Sequence, residues 1–384
     1  MIGTDGQELV VGGVRIRLIH TPGHTMESTC YLLIDEDGKE RSIFTGDTLF
    51  IGDVGRPDLA QHVIADLTED KLAGLLYDSL RNKIMPLSDD LIVYPNHGAG
   101  SACGKMMSKE TSDTLGHQKR TNYALRPGMT KEEFKKELLH GLMPPPGYFP
   151  QNVLMNKTGY EPLTSVMERG RKALAPDEFE TAANTTGALV IDCRSARDFA
   201  KGFIPNSINF GLDGSFAMWV GEMVPDLKQP LLLVADPGKE EEAIIRLSRI
   251  GHDALLGHLK GGFEAWKVAG KEMDTIERIT AAEFNAGNSD KSLVIDVRRK
   301  SEFDSEHVVG AVNIPLNELN RHLAEIPKDK PFILHCAGGY RSMVAASMLK
   351  ARGWANFKDV SDGFAGIRKT PAPLTDFVQP TTML

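Results

Sequence analysis

The stretch FILHCAGGYRSMVAAS, residues 332–347, decides the fold of the C-terminal part of this chain. Its apolar start, Phe332-Ile333-Leu334, predicts a strand, and its end predicts a helix that runs on to Leu349. Cys336 stands where the strand ends, and Gly338-Gly339 supplies a turn before the helix. Backbone N–H groups at a helix N-terminus favour an anion, and the anionic thiolate is the nucleophilic form of cysteine. The stretch therefore predicts an active-site loop in which Cys336 handles sulfur.

The strands around this loop belong to an internal repeat. The segment LVIDCR, residues 189–194, matches LVIDVR, residues 293–298, and an acidic–aromatic pair follows each of them. Each copy spans roughly 100 residues, a usual size for one domain. Short apolar strands alternate with helical patterns in both copies, which predicts two α/β domains with parallel sheets. The recurring Asp and Arg of the two segments indicate an internal ion pair rather than catalytic groups.

The first copy lacks the reactive cysteine. Asp236 stands where Cys336 stands in the second copy, and the following loop region is shorter by two residues. The acidic run at 240–242 would repel an anion. Cys193 falls at a strand position, where a packed thiol is the better interpretation. The sequence therefore predicts that only the second copy is active.

Composition excludes several classes of protein. The net charge of −8 argues against a nucleic-acid-binding surface. The sequence shows no run of roughly 20 apolar residues that would cross a membrane, and residues 1–12 do not resemble a signal peptide. The four cysteines are scattered, without a CxxC pair, which suits a reducing compartment. We therefore expect a cytoplasmic protein that binds neither nucleic acid nor membrane.

Three loops near the N-terminus each place a metal-type ligand after a predicted strand. They are HTPGHT at 20–25, TGDT at 45–48 and PNHG at 95–98. Imidazole and carboxylate groups suit iron or zinc. The ordered set, with its glycines, predicts a metal site that involves His24, Asp47 and His97.

These loops resemble the second half of the metallo-β-lactamase fold. Three further segments, GRPDL at 55–59, HGAGSACG at 97–104 and PGYF at 146–149, are similar to persulfide dioxygenases. That resemblance implies one Fe²⁺ on a 2-His-1-carboxylate face, O₂ as co-substrate and a low-molecular-weight thiol persulfide as substrate. It implies His24 and Asp47 as metal ligands, His97 as a residue that lines the site, and Arg56 and Tyr148 as residues near the persulfide carrier.

One motif of the metallo-β-lactamase fold is absent from this sequence. None of the eleven histidines stands in the His-x-His-x-Asp-His arrangement that would supply the remaining histidine ligand. We therefore expect the chain to be a fragment, a truncated gene product or a degenerate domain with an incomplete ligand set. Its remaining sheet should expose an apolar face, and a homodimer that covers this face is left open.

The two repeat copies resemble rhodanese domains over most of residues 174–372. The spacing Cys336-x₄-Arg341 matches the persulfide loop of that family, whereas related phosphatases use a loop one residue longer. The resemblance implies that Cys336 carries the sulfane sulfur and that Arg341 attracts an anionic donor or acceptor, such as thiosulfate or sulfite. The remaining loop residues would stabilise the persulfide anion through their N–H groups: Ala337, Gly338, Gly339, Tyr340 and Ser342.

Together these features predict an α/β protein with three domains. They are a partial metallo-β-lactamase αββα domain at 1–170, an inactive rhodanese-like domain at 174–273 and an active one at 276–384. The expected function is persulfide detoxification, in which iron-dependent oxidation to sulfite is coupled to sulfur transfer that gives thiosulfate. Two alternatives stay open: a sulfurtransferase with a metal-free scaffold domain, and a zinc thioester hydrolase of the glyoxalase II type.

Overall fold

The computed structural model describes residues 3–60, 67–142, 145–287 and 292–379. The chain divides into two compact units, with the boundary between Lys157 and Thr158. This boundary precedes the one predicted at residue 170, because the helix Leu163–Gly170 belongs to the second unit. There the ring of His258 lies 3.2 Å from the carbonyl oxygen of Gly170. Within the described ranges, no helix is long and apolar enough to cross a membrane.

The first unit is built on one six-stranded sheet with the order β1-β2-β3-β4-β5-β6. Strands β4 and β5 are parallel, and the other neighbours are antiparallel. Alternating apolar and polar residues around Gly12-Gly13 predict one hairpin, and two strand-like runs around the turn at 36–38 predict paired strands; both antiparallel pairs are present. The strands are β1 Glu8–Val11, β2 Val14–His20, β3 Thr29–Ile34, β4 Glu40–Gly46, β5 Ile92–Pro95 and β6 Asp113–Thr114.

Helices cover one face of this sheet. They are α1 Glu69–Ser79, α2 Leu115–Thr121 and α3 Lys131–Leu139. A fourth helix, α4 Phe149–Thr158, follows along the chain and buries none of its residues. A buried cluster that includes Leu32, Ile43 and Leu76 fills the space between sheet and helices. On the opposite face, Tyr31, Phe44 and Tyr94 occupy adjacent register positions and are 41–44% exposed. The predicted exposed apolar face is therefore present.

The second unit contains two parallel five-stranded sheets, one for each copy of the repeat. Their orders are β7-β11-β10-β8-β9 and β12-β16-β15-β13-β14, so the topology is the same in both. The first copy comprises α5 Leu163–Gly170, β7 Ala173–Leu174, α6 Pro176–Thr186, β8 Leu189–Asp192, α7 Ala196–Lys201, β9 Ile208–Asn209, α8 Phe216–Met223, β10 Leu231–Val234, α9 Glu240–Ser248, β11 Leu255–Leu259 and α10 Gly262–Val268. The second comprises β12 Arg278–Ile279, α11 Ala281–Gly287, β13 Leu293–Asp296, α12 Lys300–Ser305, β14 Val312–Asn313, β15 Phe332–His335, α13 Tyr340–Lys350, β16 Phe357–Val360 and α14 Gly363–Ile367.

A buried ion pair lies at the same place in each copy. In the second copy, Arg298 Nη2 lies 2.6 Å from Asp296 Oδ2, and the guanidinium stacks 3.8 Å from the centre of the Phe364 ring. In the first copy, Arg194 pairs with Asp192 at 2.5 Å and stacks on Phe263 at 4.1 Å. The recurrence of these residues is therefore structural, as the sequence predicts.

Asp296→Asn should strongly destabilise the second unit, because it leaves the buried Arg298 guanidinium without its counter-ion. We expect a loss of about 3 kcal/mol in the free energy of unfolding. The three tryptophans, Trp219, Trp266 and Trp354, all lie in the second unit, so urea unfolding followed by tryptophan fluorescence reports this change. The control is Asp304→Asn, which removes an exposed partner of Lys300 and should change little. Equal midpoints for the two variants would contradict a structural role for the pair.

Candidate functional site

The first site forms where three loops of the first unit converge. His24 follows β2, Asp47 follows β4 and His97 follows β5. The Nε2 atoms of His24 and His97 each lie 3.3 Å from Oδ2 of Asp47. The parallel pairing of β4 and β5 brings two of these loops to the same edge of the sheet. The structure thus brings together the three residues that the sequence predicts.

His24 is oriented as a metal ligand. Its Nδ1–H donates to the backbone carbonyl of Arg56 at 2.8 Å, which leaves the lone pair of Nε2 directed toward Asp47. The side chain is almost fully buried, and burial lowers the pKa of His24. A neutral imidazole is the form that coordinates a metal.

The donor set fits a metal ion. Oδ1 of Asp47 is buried and has no hydrogen-bond partner among the described residues, which is unusual for a carboxylate. His24, Asp47 and Cys103 offer ligand atoms that all lie within 4.8 Å of one another. His97 adds a second imidazole at the same distance from Asp47 as His24. The lining role that the resemblance implies for His97 stays a prediction.

Cys103 lies in the glycine-rich loop that follows His97, so the sequence allows it to face the metal pocket, although it favours a structural role over a redox role. The structure places Cys103 beside the metal-type ligands. A carboxylate holds its loop, because the N–H groups of Lys105 and Met106 each donate to Oδ2 of Asp53 at 2.5 Å. Burial, with the Asp47 carboxylate adding to it, raises the pKa of Cys103 to about 11.

Arg56 and Tyr148, which are predicted to lie near the persulfide carrier, both contact other side chains of the protein. The Arg56 guanidinium is buried and bidentate on Asp58, with distances of 2.7 and 2.6 Å. Arg56 therefore serves the site through its carbonyl, which holds His24. Tyr148 precedes α4 and packs its ring edge-on against Phe149 at 5.1 Å. Contact of either residue with a persulfide carrier stays a prediction.

Gly55 allows the GRPDL loop to cross the site. A Cβ added at this position would lie 2.0 Å from the carbonyl oxygen of Asp47 and 3.0 Å from the ring of His24. No side chain fits there without displacing one of the two. The glycine in the GRPDL segment is therefore required by the packing of the metal-type ligands.

The second site is the loop between β15 and α13. Cys336 is buried at the base of this loop, and its Sγ accepts the backbone N–H of Gly339 at 3.2 Å. The start of α14 fixes the backbone of the cysteine, because the N–H of Phe364 donates to the carbonyl of Cys336 at 2.7 Å. The predicted strand–loop–helix is thus present, with the sulfur under a backbone donor.

Two glycines shape this loop. Gly339 has a φ of 91°, and an added Cβ would lie 2.2 Å from the carbonyl of Ser361. Gly363 has a φ of 58°, and an added Cβ would meet the carbonyl of Cys336 at 2.6 Å. Both positions require glycine, because L side chains rarely adopt this conformation. In the loop, Ala337 and Gly338 reach solvent, whereas Gly339 and Ser342 are buried.

Arg341 does not stand alone as a cation. Its guanidinium is bidentate on Glu302, with distances of 2.6 and 2.8 Å. Although burial works in the opposite direction, the hydrogen bonds from Arg341 hold the pKa of Glu302 below its usual range. The Glu302 carboxylate therefore stays ionised. It offsets part of the positive charge of Arg341, which the resemblance to rhodanese domains implies would attract an anionic substrate.

The cysteines at positions 30 and 193 are packed thiols. Burial raises the pKa of Cys30 to about 11 and that of Cys193 well above its ordinary value. Cys193 directly follows β8, as Val297 follows β13 in the second copy. Both side chains are buried, which for Cys193 agrees with the predicted packing role.

Comparison with known proteins supports both halves of this description. A family model described as the rhodanese-like domain matches residues 175–269 and 280–370. YqhL of Bacillus subtilis, an uncharacterised protein, is 39% identical over 89 residues, which are 23% of this chain and 70% of that protein. Hydroxyacylglutathione hydrolase GloC of Haemophilus influenzae is 29% identical over 118 residues, which are 31% of this chain and 44% of GloC.

One solved structure is similar over a larger part of the chain. A metallo-β-lactamase from Staphylococcus aureus subsp. aureus COL superposes with a TM-score of 0.55 at 29% identity. The likeness covers 68% of this chain and 71% of that one. Neither unit alone makes up that share of the chain, so the likeness extends into both units.

Gly55→Ala should weaken metal binding at the first site, because the added methyl group displaces His24 or the Asp47 backbone. We expect at least about a tenfold rise in the dissociation constant for Fe²⁺ or Zn²⁺, in line with the effect of disturbing a ligand's supporting contacts. Metal titration of the purified chain gives the constant. Gly74→Ala is the matched control, since Gly74 lies within α1 with ordinary contact distances around it. Unchanged metal affinity in Gly55→Ala would contradict the assignment.

Proposed function

Since this chain belongs to the family of proteins with rhodanese-like domains, here joined to a unit of the metallo-β-lactamase fold, we propose that it is an enzyme of sulfur metabolism. Its second unit transfers sulfane sulfur through Cys336. Its first unit oxidises a thiol persulfide to sulfite. The observation that carries the proposal is the buried Cys336 sulfur, which lies under the Gly339 N–H in a six-residue Cys-to-Arg loop.

Sulfur transfer that gives thiosulfate requires two steps at Cys336. The thiolate attacks the outer sulfur of a thiol persulfide, so that an S–S bond forms on Cys336 and the carrier thiolate leaves with the electron pair. Sulfite then attacks the outer sulfur of the Cys336 persulfide and leaves as thiosulfate, and the Cys336 thiolate is restored. The backbone N–H of Gly339 and the helix N-terminus stabilise the anionic sulfur in both steps.

The Arg341–Glu302 pair adjusts the loop to its anionic substrates. A bidentate carboxylate fixes the guanidinium plane at the side of the loop. Because the net charge of the pair is close to zero, Arg341 can orient a divalent anion by hydrogen bonds without binding it tightly through charge. Sulfite and thiosulfate can therefore both enter and leave.

The first unit supplies sulfite in this proposal. A metal at His24 and Asp47 would supply the O₂-binding and Lewis-acid chemistry of a histidine–carboxylate face. The overall reaction consumes a persulfide RSSH, O₂ and water and gives RSH and sulfurous acid, which ionises to sulfite. The chain's own part is to keep His24 neutral and oriented through Arg56, and to keep Asp47 with one unpaired oxygen. Cytoplasmic thiols such as glutathione, coenzyme A or bacillithiol are the proposed carriers.

A zinc-dependent thioester hydrolase is the second candidate for the first unit. Two observations favour it: the likeness to GloC, and the equal distance of His24 and His97 from Asp47. Three such ligands suit a hydrolytic zinc site that keeps an open position. Hydrolysis of a glutathione thioester by the zinc-loaded chain, with no O₂ uptake by the iron-loaded chain, would select this candidate.

Cys336→Ser should abolish sulfur transfer, because a hydroxyl cannot accept and release sulfane sulfur. We expect a loss of at least about a thousandfold in thiosulfate:cyanide activity, as for removal of other nucleophiles. Cys193→Ala is the matched control, since it removes a buried cysteine from the first copy and should retain activity. Transfer activity that survives in Cys336→Ser would overturn the assignment of the nucleophile.

Asp47→Asn should abolish O₂ uptake with glutathione persulfide and leave sulfur transfer at Cys336 unchanged. The amide removes the anionic ligand, while the rhodanese-like loop lies in the other unit. An oxygen electrode and the thiosulfate:cyanide assay measure the two activities on the same iron-loaded preparation. Removal of iron with a chelator should reproduce the pattern in the unsubstituted chain. O₂ uptake that persists without iron would contradict the proposal.

A further inference from the structure

The first copy of the repeat has no nucleophile, yet it contacts the catalytic loop of the second copy. Tyr340 is the first residue of α13 and follows Gly339, whose N–H donates to Cys336. Its hydroxyl donates to the backbone carbonyl of Gly211, in the first copy, at 3.0 Å. The phenol is largely buried, and burial raises the pKa of Tyr340, so that the hydroxyl remains a donor at neutral pH.

The receiving segment is the loop at 211–214, which follows β9. It fits the Tyr340 ring closely, since a Cβ added at Gly214 would lie 2.3 Å from Cε2 of that ring. Arg246 fixes the same loop, because its guanidinium donates to the carbonyls of Leu212 at 2.8 Å and Gly214 at 3.1 Å. The loop at 211–214 is therefore fixed by hydrogen bonds, and its glycines leave the space that the Tyr340 ring occupies.

The rest of α13 is also held by the first copy. The backbone N–H of Asn209 donates to the Ser347 hydroxyl at 3.0 Å, and both residues are buried. Near the C-terminal end of the helix, Lys350 pairs at 2.9 Å with Asp274, which directly follows the first copy and whose backbone pairs with Phe203 of that copy. The helix whose N-terminus faces the anionic sulfur is thus fixed at its start, its middle and its end.

We propose that the first copy is a positioning platform for the Cys336 loop. Tyr340 is the positioning residue through which the first copy holds this loop in place. The hydrogen bond to Gly211 fixes the first turn of α13 and, one residue earlier, the Gly339 N–H that faces Cys336. Tyr340 takes this role through the first copy instead of through substrate contact. The proposal rests on the proposed sulfurtransferase function only where kcat is measured, because the alkylation rate of Cys336 can be measured without that function.

Tyr340→Phe tests this directly, because it removes one oxygen and keeps the ring. We expect about a fivefold slower alkylation of Cys336 by iodoacetamide at fixed pH, the size of one neutral hydrogen bond. The same variant should lower kcat for thiosulfate:cyanide transfer by a similar factor and leave KM unchanged. Its unfolding midpoint should match that of the unsubstituted chain. Alkylation at the original rate would overturn the proposal.

Gly214→Ala is the complementary test from the other side of the contact. The added methyl group meets the Tyr340 ring, so we expect about a tenfold loss in alkylation rate and in kcat, as for overpacking of a fixed site. In a Tyr340→Ala background the same substitution should have no further effect, because the ring is gone. Gly287→Ala, at a position with open space, is the control. Equal effects of Gly214→Ala in both backgrounds would show that the loss does not pass through Tyr340.

The two measurements separate failure of this inference from failure of the proposed function. Absence of transfer activity in the unsubstituted chain, together with a slower alkylation in Tyr340→Phe, would reject the sulfurtransferase function and retain the platform. Normal transfer activity in the unsubstituted chain, together with an unaltered alkylation rate in Tyr340→Phe, would reject the platform and retain the sulfurtransferase function.

Discussion

The buried pair of Asp296 and Arg298 is the interaction on which the active loop depends. It closes the carboxyl end of β13, and the Arg298 guanidinium then stacks on Phe364 at the start of α14. The N–H of Phe364 in turn holds the carbonyl of Cys336. The ion pair is therefore linked to the backbone of Cys336 by two contacts, both of which involve Phe364. A buried charge pair of this kind contributes little net stability but is strongly destabilising when broken.

The first copy keeps this frame but has no cysteine in the corresponding loop. Asp192, Arg194 and Phe263 reproduce the same arrangement, while the loop at 235–239 carries Asp236 in place of the cysteine. Retention of the frame preserves the shape of β9 and the 211–214 loop that receives Tyr340. A copy without a nucleophile can thus be maintained by its contribution to the other copy.

Much of this fold follows from local pattern in the sequence. Alternation around Gly12-Gly13 predicts the first hairpin, and the Thr280 and Glu283 spacing predicts a cap whose hydrogen bonds are present. Recurrence of Asp and Arg predicts the ion pairs. Such features depend on neighbours within a few residues or on comparison of two copies, and both are visible in one chain.

The features that sequence reasoning missed depend on distant contacts. The pairing of Arg341 with Glu302 joins residues 39 positions apart, and the Tyr340–Gly211 hydrogen bond spans 129. Neither contact has a local signal, because each is fixed by the packing of elements that the sequence places far apart.

The most direct test of this account is the location of sulfane sulfur after reaction with thiosulfate. Peptide mass spectrometry of the treated, non-reduced chain should find one added sulfur atom on Cys336 and none on Cys30 or Cys193. Sulfur on the buried cysteines to the same extent, or its absence from Cys336, would contradict the claim that the second copy carries the working persulfide loop.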